Sequence, residues 1–137
     1  MLHQATCVAI RGRGLLIEGP PGSGKSSLAL ALIDRGAVLV GDDGVELTMG
    51  DGRLLASPAP RIAGLLEIRN VGLLRYRVAE GVPVSLVVAL DPAAERLPNG
   101  SERRELLGIA LPLIRLWPES PVLALRAEAA LSRFGLE

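Results

Sequence analysis

The strongest constraint on this 137-residue chain is one glycine-rich run, Gly19–Ser26. It reads GPPGSGKS and matches the pattern G-x-x-x-x-G-K-[ST] at every fixed position. The apolar segment Leu15–Glu18 precedes it, and from Lys25 to Arg35 apolar residues recur at helical intervals. A strand, a glycine-rich loop and a helix in this order predict a phosphate-binding loop, in which backbone N–H groups and the helix N-terminus surround phosphate oxygens.

The residue types of the loop predict its chemistry. Lys25 would reach the β- and γ-phosphates of a nucleotide, and the Ser26 hydroxyl would bind Mg²⁺. The alternative is a plain strand-to-helix turn with an exposed lysine, and chance matches to this pattern are rare at average glycine usage. The predicted nucleotide-binding residues are Gly19, Pro20, Pro21, Gly22, Ser23, Gly24, Lys25, Ser26 and Ser27.

Around the loop, short apolar runs alternate with turn signals. The predicted elements are, in chain order, strands Ala5–Ile10 and Leu15–Glu18, helix Lys25–Arg35, strand Ala37–Val40, a hairpin of Val45–Thr48 with Arg53–Ala56, a central strand Val84–Leu90, a last strand Leu111–Leu116 and a closing helix Leu123–Phe134. Residues 91–105 are polar, and we expect a mobile loop with at most one helical turn there. The pattern predicts one α/β domain over residues 1–137, with a mixed sheet and flanking helices.

Composition excludes several functional classes. Lys+Arg and Asp+Glu number 15 each, and the only aromatic residues are Tyr76, Trp117 and Phe134. Neither a basic nucleic-acid footprint nor a base-stacking platform is therefore expected, and phosphate and metal contacts would hold a nucleotide. The single cysteine, Cys7, stands in an apolar run and predicts a buried thiol. Without a signal peptide or an apolar run of about 18 residues, we expect a cytoplasmic protein with no membrane contact.

A phosphate loop needs a carboxylate near Mg²⁺ and, for transfer to a hydroxyl, a group that accepts the proton. Asp42 and Asp43 follow a predicted buried strand, and two adjacent carboxylates suit a division into metal partner and general base. Turn formation is the alternative for this pair. Asp91 ends the predicted central strand, as metal-binding aspartates do, but with Pro92 after it the residue fits a helix cap at least as well.

Polar side chains in the second half of the chain are further candidates. Glu67 and Arg69 stand two residues apart, so on a strand both would point to one face. There the carboxylate would join the metal and the guanidinium would bind phosphate oxygens, while a surface salt bridge explains the pair equally well. His3 is the only histidine, and a lone terminal histidine is more often solvent-exposed than catalytic. Solvated charges are expected at Arg96, Arg103 and Arg104.

Several ordered segments share one resemblance. They are Arg13–Gly19 with the phosphate loop, Leu28–Leu30, Ile33–Val40, Asp42–Asp43 and Gly64–Leu74. Together they resemble the catalytic C-terminal domain of HPr kinase/phosphorylase over about residues 3–90. Gly64–Leu74 looks like the family's L-E-I-R-G-x-G signature, with Asn70 in place of one glycine.

The resemblance implies a fold related to phosphoenolpyruvate carboxykinases and an ATP- and Mg²⁺-dependent serine kinase. Its partner would be the phosphocarrier protein HPr, and many members reverse the reaction with inorganic phosphate, which regulates carbohydrate metabolism through the phosphotransferase system. The family is hexameric, which implies a homo-oligomer. The implied catalytic residues are Asp43 as the base, Asp42, Lys25 and Arg69. The implied metal ligands are Ser26, Glu67 and Asp42.

The chain also departs from the family pattern. Full-length members carry an N-terminal domain and C-terminal helices without a clear counterpart here, so we expect a shortened form that holds the catalytic core only. The family's histidine would fall on Gln4, next to His3, and Ser27 replaces a common acidic residue. Two alternatives stay open: a phosphate-loop kinase with another acceptor, and a nucleotide-binding regulator that transfers no phosphate.

Overall fold

The computed structural model describes residues 1–137 and shows a curled mixed sheet with two helices. The strands are β1 Leu2–His3, β2 Thr6–Ile10, β3 Arg13–Glu18, β4 Val38–Gly41, β5 Val45–Gly50, β6 Arg53–Pro58, β7 Leu65–Ile68, β8 Gly72–Arg75, β9 Val82–Leu90, β10 Glu102–Leu106 and β11 Ile109–Leu116. The helices are α1 Lys25–Asp34 and α2 Leu123–Phe134, with one 3-10 turn at Pro60–Ile62. Neither helix is long and apolar enough to cross a bilayer.

The long strand β9 organises the sheet. On one side it pairs in parallel with β3, and β2 and β4 follow beyond β3. On its other side, the start of β9 pairs antiparallel with β6, while Val87–Leu90 pair in parallel with β11. The sheet therefore splits along β9, with β5 and β1 continuing from β6 and β10 continuing from β11. The predicted central strand and the predicted mixed α/β sheet are confirmed.

Two apolar clusters fix the strand that precedes the glycine-rich loop. One lies between the sheet and both helices and contains Leu15 and Ile17 of β3 with Leu28 of α1. The other packs on the opposite face of the sheet and contains Leu16 and Cys7. Because successive side chains of a strand point to opposite faces, β3 is held from both sides. Cys7 is buried as predicted, and its burial raises the pKa of the thiol from 9.0 to about 12.

The prediction of a mobile loop over residues 91–105 is wrong at its end. Residues 102–106 form β10, which pairs with β11 along its whole length. Leu107 and Gly108 make the connecting turn at φ 49° and 78°, which is the backbone geometry of a two-residue hairpin. β10 has four consecutive charged residues and is mostly exposed, so it lacks the apolar alternation by which strands are predicted. The segment contains no helix, only a hydrogen-bonded turn in which the N–H of Ala94 donates to Asp91 O at 3.1 Å.

The polar segment that carries Glu67 and Arg69 forms a separate two-stranded hairpin, β7–β8. Leu66 anchors it, because this side chain is fully buried in the helix-side cluster. Its turn passes through Asn70 at φ 71°. Asparagine adopts this left-handed backbone more readily than most residues, which explains how it replaces a glycine of the signature.

Candidate active site

The loop Gly19–Gly24 leads from the end of β3 into α1. A Cβ added to Gly19 would lie 2.6 Å from Ser23 Oγ and 3.3 Å from Leu90 Cβ, so a larger residue there would force Ser23 and Leu90 to shift. Gly22 has φ 80°, a conformation that glycine adopts without strain. α1 begins without a side-chain cap and without an acidic residue in its first turn. Its first N–H groups can therefore bind an anion.

Lys25 points back onto the loop rather than into solvent. Its Nζ donates to Gly19 O at 2.7 Å and to Pro20 O at 3.1 Å. The side chain is half-buried, in contrast to the exposed lysine of the alternative interpretation. The structure therefore holds a positive charge against the loop, where an anion bound by the α1 N–H groups would meet it.

Asp42 connects the loop to two other parts of the fold. Its Oδ1 accepts from Ser26 Oγ at 2.7 Å and from Thr6 Oγ1 at 3.0 Å. Its Oδ2 accepts from the backbone N–H of Glu67 at 3.3 Å. The residue is only 7% exposed, so these three donors compensate for its lost hydration. Asp42 thus fixes helix α1 and hairpin β7–β8 relative to each other.

Asp43 differs from its neighbour in exposure and backbone conformation. It is exposed, and its φ of 60° places it in the left-handed region. Aspartate tolerates this region better than most residues. The left-handed backbone at Asp43 therefore forms the turn after β4 and also sets the direction of the Asp43 carboxylate. The pair therefore consists of one buried, hydrogen-bonded carboxylate and one open carboxylate.

A polar cavity of about 260 Å³ gathers the predicted residues. All six residues with predicted catalytic or metal-binding roles line it: Lys25, Ser26, Asp42, Asp43, Glu67 and Arg69. Pro21, Gly22, Gly24 and Ser27 border it as well, whereas Gly19, Pro20 and Ser23 are outside its lining. Arg69 reaches the loop, because its Nη2 lies 3.8 Å from the position of a Cβ on Gly22. Three carboxylates, two cations and a helix N-terminus thus face one small space.

The donors in this cavity fit a magnesium ion bound together with a nucleotide. Ser26 Oγ and Asp42 Oδ1 lie 2.7 Å apart, and both are hard oxygen donors. Protein Mg²⁺ sites commonly use one or two protein ligands and leave the remaining positions to phosphates and water. Accordingly, the structure contains no group of three or more His, Cys, Asp or Glu side chains arranged as a complete metal site.

Thr6 belongs to this site, although the sequence did not indicate it. Its hydroxyl is buried and donates to Asp42 from β2, on the strand next to β4. No motif marks a single threonine in an apolar strand. The one signal for Thr6 is the antiparallel register of β2 and β4, in which Cys7 pairs with Gly41. This register places Thr6 beside Asp42, the residue that follows β4.

Other candidate residues lie outside the cavity. Asp91 accepts from the N–H of Ala93 at 2.8 Å and forms an ion pair with Arg115 at 3.3 Å, so its side chain stabilises a turn. His3 was expected to be exposed, but its side chain is 16% exposed and its Nε2 lies 2.8 Å from Glu18 Oε2. Arg104 also binds both oxygens of Glu18, each at 3.2 Å, rather than remaining solvated.

The comparisons with known sequences agree on one family. A family model described as HPr Serine kinase C-terminal domain matches residues 1–122. The HPr kinase/phosphorylase of Streptococcus thermophilus is 39% identical over 122 residues, covering 80% of this chain and 40% of that protein. The HPr kinase/phosphorylase of Lactiplantibacillus plantarum is 35% identical, covering 95% of this chain and 46% of that protein. The chain thus spans less than half the length of these curated relatives.

A solved structure shows the same fold. The HPr(Ser) kinase/phosphatase from Coxiella burnetii superposes with a TM-score of 0.84 and 29% sequence identity. The match covers 96% of this chain and 88% of that one, so both have the curled mixed sheet with two helices. The resemblance based on the ordered motifs is therefore confirmed. On the family match over residues 1–122 and on this shared fold, the chain belongs to the family of HPr serine kinase C-terminal domains.

Proposed function

We propose that this chain is an ATP-dependent kinase that phosphorylates a serine of HPr, on a nucleotide-binding core of the phosphoenolpyruvate carboxykinase type. The observation that carries the proposal is the polar cavity in which Lys25, Ser26, Asp42, Asp43, Glu67 and Arg69 converge. The names of the relatives, HPr kinase/phosphorylase, supply the acceptor and the reaction.

The glycine-rich loop and its neighbours would bind the phosphates. Backbone N–H groups of the loop and of the first turn of α1 surround the β-phosphate, as the uncapped helix start allows. Lys25 would exchange its contacts with Gly19 O and Pro20 O for phosphate oxygens. Arg69, which approaches the loop at Gly22, would bind the γ-phosphate through its planar guanidinium group. Charge neutralisation by positioned groups is the main contribution of such a site.

Ser26 and Asp42 would hold Mg²⁺, with Glu67 as a further carboxylate on the same side of the cavity. When bound, the ion neutralises charge on the phosphate oxygens during transfer. The hydrogen bonds of Asp42 to Thr6 and to the N–H of Glu67 keep its carboxylate in one orientation before the substrate arrives. These two donors are therefore proposed to position the metal ligand.

Asp43 would accept the proton of the acceptor serine. Its exposed carboxylate lines the cavity, where an incoming hydroxyl can reach it. As the serine oxygen forms a bond to the γ-phosphorus, its proton passes to Asp43, the bond to the β-phosphate oxygen breaks and ADP leaves. In the phosphorolysis reaction, an oxygen of inorganic phosphate attacks the phosphorus of phosphoserine, the bond to the serine oxygen breaks, Asp43 returns the proton to that oxygen, and pyrophosphate leaves.

The proposal is tested by incubating the protein with Mg²⁺, γ-labelled ATP and HPr, and by locating the label by mass spectrometry. We expect one phosphorylated serine, and loss of labelling in Lys25→Ala because the phosphates lose their positive partner. Leu125→Ala is a matched control, since this exposed residue lies on α2 outside the cavity. ATP binding without transfer to HPr would instead indicate a nucleotide-binding regulator, and transfer to another acceptor would indicate a different kinase.

A further inference from the structure

The order of the strands indicates towards which part of the sheet a nucleotide bound at the loop would extend. β3, β9 and β11 run parallel, so their carboxyl ends lie at one edge of the sheet. Asp42 follows β4, which lies two strands from β3 on the side opposite β9. A nucleotide whose γ-phosphate faces Asp42 and Asp43 therefore extends its nucleoside over the ends of β9 and β11. Ligands of open α/β sheets generally bind beyond the carboxyl ends of their strands.

The strand register places a second cavity within reach of such a nucleotide. Glu18 pairs with Ala89 of β9, and Arg115 of β11 pairs with the same residue. The residues that follow, Gly19 and Leu116, are therefore level with each other at the sheet edge. At a spacing of about 4.8 Å between neighbouring strands, they lie roughly 10 Å apart.

This second cavity has a volume of about 430 Å³, within the range of roughly 300–1,000 Å³ that is usual for small-molecule sites. It lies between α2, the end of β11 and the segment from Ala94 to Pro98. Ile114 and Leu116 contribute apolar side chains to its lining. A little more than half of the lining residues are apolar, in contrast to the polar cavity at the loop, and five charged residues complete the lining: Glu95, Arg96, Arg115, Arg126 and Arg133. The apolar part suits the flat and weakly polar surface of a nucleobase.

Two of the three aromatic residues of the chain line this cavity. Trp117 donates its Nε1–H to Ala94 O at 2.7 Å, which orients the ring, and the residue remains 38% exposed. The Arg126 guanidinium lies 5.6 Å from the centre of the Trp117 ring, and that of Arg133 lies 4.9 Å from the centre of the Phe134 ring. Indole and guanidinium planes are the groups on which nucleobases stack.

We propose that the nucleoside part of ATP binds in this second cavity, with its base stacked on Trp117 and Arg126; the inference rests on the proposed ATP-dependent function. It differs from the expectation that phosphate and metal contacts, rather than base stacking, hold the nucleotide. Arg126 and Arg133 belong to α2, beyond the family match, which ends at residue 122. The nucleoside site is therefore built in part by a segment of this chain that lies beyond the family match.

Trp117 is the only tryptophan, so its fluorescence reports directly on the cavity. The experiment compares Mg²⁺-ATP with Mg²⁺-tripolyphosphate, which carries the phosphates but no nucleoside. ATP should change the emission of Trp117 and should bind at least about tenfold more tightly than tripolyphosphate, as expected for one stacked base. Tripolyphosphate should bind without changing the emission.

Calorimetry on variants distinguishes residues that bind the nucleoside from residues that bind the phosphates. Trp117→Ala and Arg126→Ala should each weaken ATP binding about fivefold or more and leave tripolyphosphate binding unchanged. Arg126 is exposed on α2 and alanine is the best helix former, so this variant is expected to fold even where Trp117→Ala does not. Lys25→Ala should weaken both ligands. Leu125→Ala, which is outside the cavity lining, should bind both ligands like the wild type.

The outcomes distinguish this inference from the proposed function. Equal affinities for ATP and tripolyphosphate, with unchanged emission of Trp117, would overturn the nucleoside site and leave the phosphate loop intact. Wild-type affinity for ATP in Arg126→Ala and Trp117→Ala would do the same. Loss of binding of both ligands by the wild type would contradict the ATP-dependent function itself. Tight ATP binding that depends on Trp117, without transfer to HPr, would support the nucleoside site and contradict only the kinase.

Discussion

Replacing Asp42 with alanine removes one acceptor that serves three donors. Ser26 Oγ, Thr6 Oγ1 and the N–H of Glu67 all donate to this carboxylate, at 2.7, 3.0 and 3.3 Å. Thr6 is fully buried, so its hydroxyl would be left without a partner. A buried donor left unpaired costs about 1–3 kcal/mol, and a hydrogen bond to a charged group contributes about 1.5–3 kcal/mol. Relief of the buried charge offsets part of this loss.

We therefore expect Asp42→Ala to lower the free energy of unfolding by about 2–3 kcal/mol. The change in Tm equals this loss divided by the unfolding entropy, which scales with chain length. For 137 residues the expected decrease in Tm is roughly 7–10 °C. Thermal unfolding followed by circular dichroism measures it. Asp43→Asn is the matched control, because Asp43 is exposed and asparagine tolerates its φ of 60°. A Tm for Asp42→Ala within about 2 °C of the wild type would refute the role of Asp42 as a shared structural acceptor.

Three further predictions concern the loop, the thiol and the hairpin. Gly19→Ala should reduce nucleotide affinity by about tenfold or more, because its Cβ would contact Ser23 Oγ at 2.6 Å, and calorimetry with ATP measures the loss. Cys7 should resist alkylation at pH 8 until the chain unfolds, because burial raises the pKa of its thiol to about 12. The unfolded thiol ionises near pH 9, so the stability that neutral Cys7 contributes should be lost as pH rises from 9 toward 12. Thermal melts of wild type and Cys7→Ala across this range measure that loss. Asn70→Val should lower the free energy of unfolding by about 1–2 kcal/mol, whereas Asn70→Gly should not, since the backbone at this turn has φ 71°.

Local patterns in the sequence were sufficient to predict the elements around the loop. Strand β3, the glycine-rich run and α1 lie within 22 consecutive residues, from Arg13 to Asp34, and their pattern depends little on the rest of the chain. The same holds for β9, whose β-branched residues are buried from both sides. Strand β10 was missed because its backbone pairs only with β11 at the edge of the sheet, and its run of charged, mostly exposed residues lacks apolar alternation.

Parts of the site that depend on distant pairing could not be predicted from the sequence. Thr6 meets Asp42 only because β2 lies between β3 and β4 in the sheet. His3 and Arg104 meet Glu18 across 15 and 86 residues of sequence, a contact that only the folded sheet creates. The cavity beside Trp117 forms only when α2 packs next to the end of β11. Residue types at short spacing indicated the polar cavity at the loop, whereas tertiary packing determines these other contacts.

The role of Asp43 is tested most directly by the rate of phosphoryl transfer to the HPr serine, measured in a single turnover with Mg²⁺-ATP for wild type and Asp43→Asn. We predict that the variant binds ATP like the wild type and transfers phosphate at least about 100-fold more slowly, since a general base typically contributes 10²–10⁴-fold. Transfer by Asp43→Asn at the wild-type rate would contradict the assignment of Asp43 as the base.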